Sequence, residues 1–258
     1  MERLQGKELI ELVREDPLLE YKELRSEDVE KYFLATRNPR KTALRRTKPI
    51  IRKYVLRFFE DGVNAYQYLF DNASIFYTTT AVEMGLLFKL QRKVRQAKKA
   101  GKKTRTDFKW LIYKSTLDGS TKKLTNDIRI MRNCYVHYQN IIAYNARRRL
   151  VDVPELIKQG VLRSEVGEII SNDKDNIPIR IEHLETNQEI MPFINKRVQE
   201  HINWIGSTIP RIIAFKKRNN DTKLLDLQEL LTVFGIEAFD ALTCIKWSFS
   251  VLKKLYII

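Results

Sequence analysis

Helix-breaking residues are scarce in this chain, which has 9 glycines and 7 prolines among 258 residues. The long stretches between them are rich in leucine, isoleucine, lysine, arginine and glutamate, a pattern typical of helices rather than of short strands separated by turns. Because 43% of the residues are hydrophobic, the chain can form one good-sized core or two small ones. The sequence therefore predicts a globular, all-α protein.

Apolar side chains recur at helical spacing over several consecutive segments. We predict helices from Tyr54 to Phe70 and from about Ala73 to Ala97, then a short helix capped by Asp107 and a fourth helix that starts near Ser120. The apolar stripe of the second helix includes Phe76. Four helices within about 100 residues, joined by short loops, predict an antiparallel bundle whose alternate faces are buried.

The composition changes along the chain predict three parts. Residues 1–52 are interpreted as an accessory helical arm followed by a basic connector, which Pro39 and Pro49 restrain. Residues 53–217 form the helical bundle, and residues 218–258 form a C-terminal helical extension packed on the bundle or at a dimer interface. Within that extension we expect a helical region that is broken near Gly235.

The formal net charge is +15, which favours a polyanionic partner because binding releases condensed counterions. Nucleic acid is the leading hypothesis, although lysine-rich surfaces also occur on proteins that bind none. Two basic clusters are candidates for contacts with an RNA backbone, and solvated helix ends are the alternative interpretation of both. Their residues are Lys98, Lys99, Lys102, Lys103, Arg147, Arg148 and Arg149.

Several classes of site find no support in the sequence. Cys134 and Cys244 stand far apart with no second cysteine near either, so we expect no disulfide framework and no zinc site. The segment Gly101–Thr104 lacks the upstream glycine of a phosphate-binding loop, and no acidic cluster has the spacing of a metal site. We expect no cofactor, no metal and no membrane segment, and a cytoplasmic location.

One short segment combines groups suited to chemistry on a phosphodiester. Arg132, Asn133 and His137 fall within about one and a half helical turns, and Asn133 and His137 share a face because they are four residues apart. His137 can move a proton near neutral pH, Arg132 can stabilise charge on a phosphate, and Asn133 can orient either group. The alternative is a histidine satisfied at the bundle edge and an arginine in a surface ion pair.

The segment Arg132–His137 resembles the R-x4–6-H motif, in its R-N-x-x-x-H form, of the HEPN superfamily. The stretch Ala73–Leu87 is similar to the second helix of that family, with its alanines, aromatic residues and Glu83 before an apolar pair. The resemblance covers about residues 53–150. It implies a HEPN-like antiparallel helical bundle, here with extra N- and C-terminal helices.

The resemblance also implies a function. HEPN proteins include metal-independent ribonucleases, among them toxins and defence effectors, and they usually act as homodimers whose two motifs meet across a cleft. We therefore expect an endoribonuclease that cleaves single-stranded RNA at a composite dimer site containing Arg132, Asn133 and His137 of each chain. An antitoxin or another regulatory protein is a possible further partner.

The sequence leaves open the roles of two supporting residues and two alternative functions. Glu83 would either orient Arg132 or His137 or be an ordinary charge on a helix face, and Tyr138 would either stack on a base or belong to the core. The alternative functions are a noncatalytic HEPN-like module that binds RNA, a nucleotide or a partner protein, and a DNA-binding regulator.

Overall fold

The computed structural model describes residues 21–99, 107–136, 190–218, 233 and 235–258. Every regular element within these ranges is an α-helix, so the all-α prediction is confirmed for the described part of the chain. We label the helices in chain order: α1 (Tyr21–Arg37), α2 (Lys41–Arg46), α3 (Pro49–Gln67), α4 (Asp71–Lys99), α5 (Phe108–Lys114), α6 (Gly119–Val136), α7 (Ile190–Arg218) and α8 (Ile236–Lys254).

Capping residues set several of the helix starts. The Asp107 carboxylate accepts a hydrogen bond from the backbone N–H of Trp110 at 2.9 Å, as expected for the cap of α5. Asp118 serves α6 in the same way by accepting from the N–H of Thr121 at 2.8 Å. Pro49 begins α3, where its missing N–H costs no helical hydrogen bond, so this helix starts five residues before the predicted Tyr54.

Two helices end in a left-handed residue that is not glycine. Leu69 after α3 has φ 65° and Tyr256 after α8 has φ 57°. In both cases the next residue closes the helix end: Phe70 N–H donates to the carbonyl of Ala65, and Ile257 N–H donates to that of Leu252. This geometry costs a side-chain-bearing residue free energy, so other contacts must hold it in place.

The core forms between α3, α4 and α8. Helices α3 and α4 pack closely because Gly62 has no side chain: a Cβ there would stand 2.5 Å from Cγ2 of Thr78. Helix α8 packs against α1, α3, α4, α6 and α7. Its buried side chains join one apolar cluster with those of the other helices, including the free thiols of Cys134 and Cys244. No helix in the described ranges is both long and apolar enough to cross a membrane.

A buried ionic network connects α7, α8 and α6. Arg197 of α7 is 1% exposed and donates from Nη2 to Oδ1 of Asp240 at 2.7 Å and to Thr243 at 2.8 Å. The Tyr135 hydroxyl of α6 donates to the other carboxylate oxygen of Asp240 at 2.8 Å. The Arg197 guanidinium also lies over the ring of Phe239, 4.2 Å from its centroid. Three helices therefore share one buried carboxylate.

The first prediction concerns the close contact of α3 with α4. An alanine in place of a helical glycine usually stabilises a helix by about 0.5–1 kcal/mol. At Gly62 we expect the opposite, a loss of about 1–3 kcal/mol, because the new methyl group overlaps Thr78 and the carbonyl of Ser74. Gly206→Ala is the control, since an exposed Cβ there meets no atom within 4 Å. Urea unfolding of both variants measures the difference, and equal stabilities would contradict the prediction.

The second prediction concerns the buried network. Arg197→Ala leaves the Asp240 carboxylate buried without its main cation, and we expect a loss of about 3–5 kcal/mol in the free energy of unfolding. Arg218→Ala on the same helix removes an exposed guanidinium that pairs with Glu23 at 3.4 Å, and we expect less than about 1 kcal/mol. Chemical unfolding of the two variants measures these losses in free energy. Losses of similar size would show that the network does not stabilise the fold in this way.

Candidate functional site

The predicted site residues are only partly within the described structure. Arg132 and Asn133 lie in the last turn and a half of α6, and Glu83 lies in the middle of α4. Lys98 and Lys99 are the last two residues of α4, and Lys99 is exposed. The other predicted residues lie outside the described residues: His137, Tyr138, Lys102, Lys103, Arg147, Arg148 and Arg149.

An ion pair brings Glu83 and Arg132 together. Nη1 of Arg132 donates to Oε2 of Glu83, although the two residues are 49 positions apart in sequence. The side chains are 28% and 25% exposed respectively, so the pair sits at the surface edge between α6 and α4. The guanidinium is thereby held at one place while part of it still faces solvent.

An exposed aromatic ring lies beside this pair. Cζ of Arg132 is 5.9 Å from the ring centroid of Phe76, and Phe76 is 45% exposed. Phe76 belongs to the predicted apolar stripe of this helix, but its ring is only partly covered by the described part of the chain. Sequence reasoning missed it as a site residue. The signal was available, since Phe76 and Glu83 are seven residues apart and so share one helix face.

The neighbouring residues of α6 are directed to different surroundings. Cys134 is buried in the core, and burial together with the Asp240 charge raises the pKa of its thiol to about 12. A thiol that stays protonated at neutral pH is a poor nucleophile. The Tyr135 hydroxyl donates to Asp240, so this side chain belongs to the buried network. Asn133 is half-buried and stands next to Arg132.

The arrangement around Arg132 can bind an anion. A guanidinium has five N–H donors in a planar fork, and the pair with Glu83 occupies Nη1. Within the described residues no hydrogen bond occupies Nε or Nη2 of Arg132, so these donors can reach an oxygen of a phosphate. The adjacent Phe76 ring offers a flat apolar surface on which a base can stack.

The part of the chain that the structure describes contains no cluster of potential metal ligands. Three or more histidine, cysteine, aspartate or glutamate side chains do not come together there in a way that could hold a metal ion.

A comparison of the chain with protein-family models, with curated proteins and with solved structures finds no match. The resemblance to the HEPN superfamily thus rests on the residues of the motif and of α4 alone, and it stays a prediction.

The third prediction separates a positioning role of Glu83 from a structural one. Because the pair with Arg132 is partly exposed, Glu83→Ala should lower the free energy of unfolding by less than about 1 kcal/mol. Asp71→Ala is the comparison on the same helix. Its carboxylate pairs at 2.6 Å with Arg25 where both side chains are nearly inaccessible, and its loss should cost about 3–5 kcal/mol. Chemical denaturation of both variants tests this, and a cost at Glu83 equal to that at Asp71 would make the pair structural.

Proposed function

We propose that the protein is a metal-independent endoribonuclease of HEPN type that cleaves single-stranded RNA. The observation that supports this most is the Glu83–Arg132 pair, which holds a guanidinium at a partly exposed edge beside the Phe76 ring. In sequence this arginine precedes His137 by five residues, the spacing of the motif. The proposed site thus combines Arg132 with a histidine, the residue type whose unperturbed pKa lies nearest neutral pH.

The proposed reaction is an internal transfer at phosphorus. The ribose 2′-oxygen forms a bond to the phosphorus, and the bond from phosphorus to the 5′-oxygen breaks. A base takes the proton of the 2′-hydroxyl, and an acid gives a proton to the leaving 5′-oxygen, which yields a 2′,3′-cyclic phosphate and a 5′-hydroxyl. His137 supplies the proton transfer, while Arg132 stabilises the negative charge on the non-bridging oxygens.

A homodimer supplies the second catalytic group. One histidine cannot easily act as base and acid in the same step, whereas the His137 residues of two chains can divide these roles. In the proposed dimer, Arg132 and Asn133 of both chains face a shared groove that binds the RNA. Activity of this kind harms the cell that contains it, so a regulatory partner such as an antitoxin and a role in defence belong to the same proposal.

A noncatalytic RNA-binding module is the second candidate. It is favoured by the carboxylate of Glu83, which partly neutralises Arg132 and leaves donors suited to holding a phosphate without cleaving it. In that case Arg132 contacts the RNA and His137 has no part in proton transfer.

The fourth prediction is a cleavage experiment with a labelled single-stranded RNA in EDTA. We expect the wild type to cleave it and His137→Ala to lose at least about 100-fold in rate, because a proton-transfer group contributes roughly that much. Arg132→Gln should lose about 100- to 1,000-fold through weaker charge stabilisation. His183→Ala is the matched control, because no arginine precedes that histidine at the spacing of the motif.

The outcomes separate the candidates. A dimeric wild type that cleaves in EDTA, with loss only in the His137 and Arg132 variants, supports the nuclease. If neither the wild type nor His137→Ala cleaves but both bind RNA equally, the noncatalytic module is correct. Cleavage that survives His137→Ala, or a preference for duplex DNA that is indifferent to His137, contradicts the proposed site.

A further inference from the structure

A second basic surface lies apart from the Glu83–Arg132 pair, on the C-terminal half of α4. Two adjoining cavities of about 720 and 710 Å³ share Arg46 and Lys89 in their linings. Together they form a groove between the α2–α3 junction, the second half of α4 and the end of α8. We call it the basic groove, and its cationic residues are Arg46, Lys48, Lys89, Arg92, Lys93 and Lys254.

The cations of the basic groove are poorly neutralised. In the described structure no ion pair joins a carboxylate to Arg46, Lys89 or Lys93. Lys89 instead donates to neutral oxygens, to Oγ1 of Thr47 at 2.7 Å and to the carbonyl of Arg46 at 3.2 Å. Partial burial and the Arg46 charge lower the pKa of Lys89. The one carboxylate in the lining, Asp118, caps α6 and also pairs with Lys254 at 3.9 Å.

Two aromatic rings accompany these cations. Tyr54, on the first turns of α3, is 55% exposed and lines one cavity, and Tyr256, after the end of α8, is 38% exposed and lines the other. The Arg46 guanidinium lies 4.3 Å from the centroid of the Tyr256 ring. Cations that follow a groove, together with exposed rings, are the features by which proteins bind single-stranded nucleic acid.

The backbone at Tyr256 has a conformation that is unusual for a residue with a side chain. Its φ of 57° is the left-handed conformation in which glycine is favoured, yet the chain has tyrosine there. The hydroxyl of Thr47 donates to the Tyr256 carbonyl at 2.6 Å, and Ile257 is buried beyond it, so neighbouring groups hold the strained residue in place. Strain of this kind gathers at functional positions.

The basic groove lies farther along α4 than Glu83 of the candidate site. Leu90 in its lining is seven residues after Glu83 and shares its helix face, but Leu90 is buried, and Lys89 and Lys93 lie about 120° and about 80° around the helix from Glu83. Lys93 is ten residues after Glu83, which is about 15 Å along the helix axis at 1.5 Å per residue. The groove and the candidate site therefore adjoin different faces of α4.

We propose that the basic groove, beside the C-terminal half of α4, binds the phosphates and bases of single-stranded RNA. The choice of RNA rests on the proposed function, whereas the binding itself does not require cleavage. The cations contact successive phosphates, and Tyr54 and Tyr256 stack on bases.

The fifth prediction is a binding experiment with a labelled single strand of about twelve 2′-O-methyl nucleotides, a length within known site sizes. Its blocked 2′-oxygen cannot attack phosphorus, so binding is measured without cleavage. Arg46→Ala with Lys93→Ala should weaken binding about tenfold near 0.1 M salt and reduce the slope of log K against log salt by about 1.4, since each phosphate contact in a single strand contributes about 0.7. The matched control is Lys217→Ala with Arg218→Ala on α7, which removes the same charge elsewhere.

Tyr256→Gly tests the aromatic part with a variant that should fold. Glycine suits the left-handed backbone, so the melting temperature should not fall appreciably, while affinity should fall about five- to 100-fold through lost stacking. Tyr256→Phe keeps the ring and should keep the affinity. Equal weakening in the α7 control, or unchanged binding in both the groove pair and Tyr256→Gly, would overturn the proposal.

The binding experiment and the cleavage experiment can fail independently, so the groove proposal and the proposed nuclease are tested separately. If His137-dependent cleavage is absent but the groove variants weaken binding, the groove proposal holds and the nuclease is wrong. If cleavage depends on His137 but the groove variants bind and cleave like the wild type, the nuclease holds and the groove proposal is wrong. Tighter binding to duplex than to single strands, with no effect of Tyr256→Gly, also overturns it.

Discussion

The buried pair of Arg197 with Asp240 is the interaction on which the rest of the structure depends. Helix α8 contacts five other helices, α7 contacts α1, α6 and α8, and this pair joins α7 to α8. Tyr135 adds α6 to the same carboxylate and stands three residues after Arg132. A charge buried this deeply is stable only with its partners in place, so the network fixes the last turn of α6 and with it the position of Arg132.

The parts of the fold that the sequence predicts are those decided by local chemistry. Asp107 caps a helix because its side chain accepts a nearby N–H, and that event needs no distant partner. The ends of α3 and α8 are different. Leu69 and Tyr256 adopt a backbone normally occupied by glycine, and at Tyr256 the hydroxyl of the distant residue Thr47 donates to the carbonyl. A helix end that has leucine or tyrosine where glycine is usual cannot be recognised from the sequence alone.

The same distinction applies to the site. The resemblance of α4 to a family helix suggested that Glu83 faces the helix of Arg132, and the structure has an ion pair there. The exposure of Phe76 was not predictable, because periodicity assigns a residue to a face but does not reveal whether another helix covers that face. The basic groove was equally hidden, since Arg46 and Lys89 are 43 residues apart and meet only when α2 packs near α4.

The two halves of α4 differ in how the charges beside them are paired. The first half positions a paired guanidinium, and the second half carries cations that lack a carboxylate partner in the described structure and can attract a polyanion. In its first half Glu83 compensates Arg132, so this cation adds little long-range attraction and acts through the direction of its remaining donors. In its second half Lys89 and Lys93 stand near Arg46 without carboxylate partners, so they attract a polyanion strongly and in a salt-dependent way. The pair with Glu83 holds the Arg132 guanidinium in place without a ligand, so a phosphate that reaches it meets donors whose direction is already set.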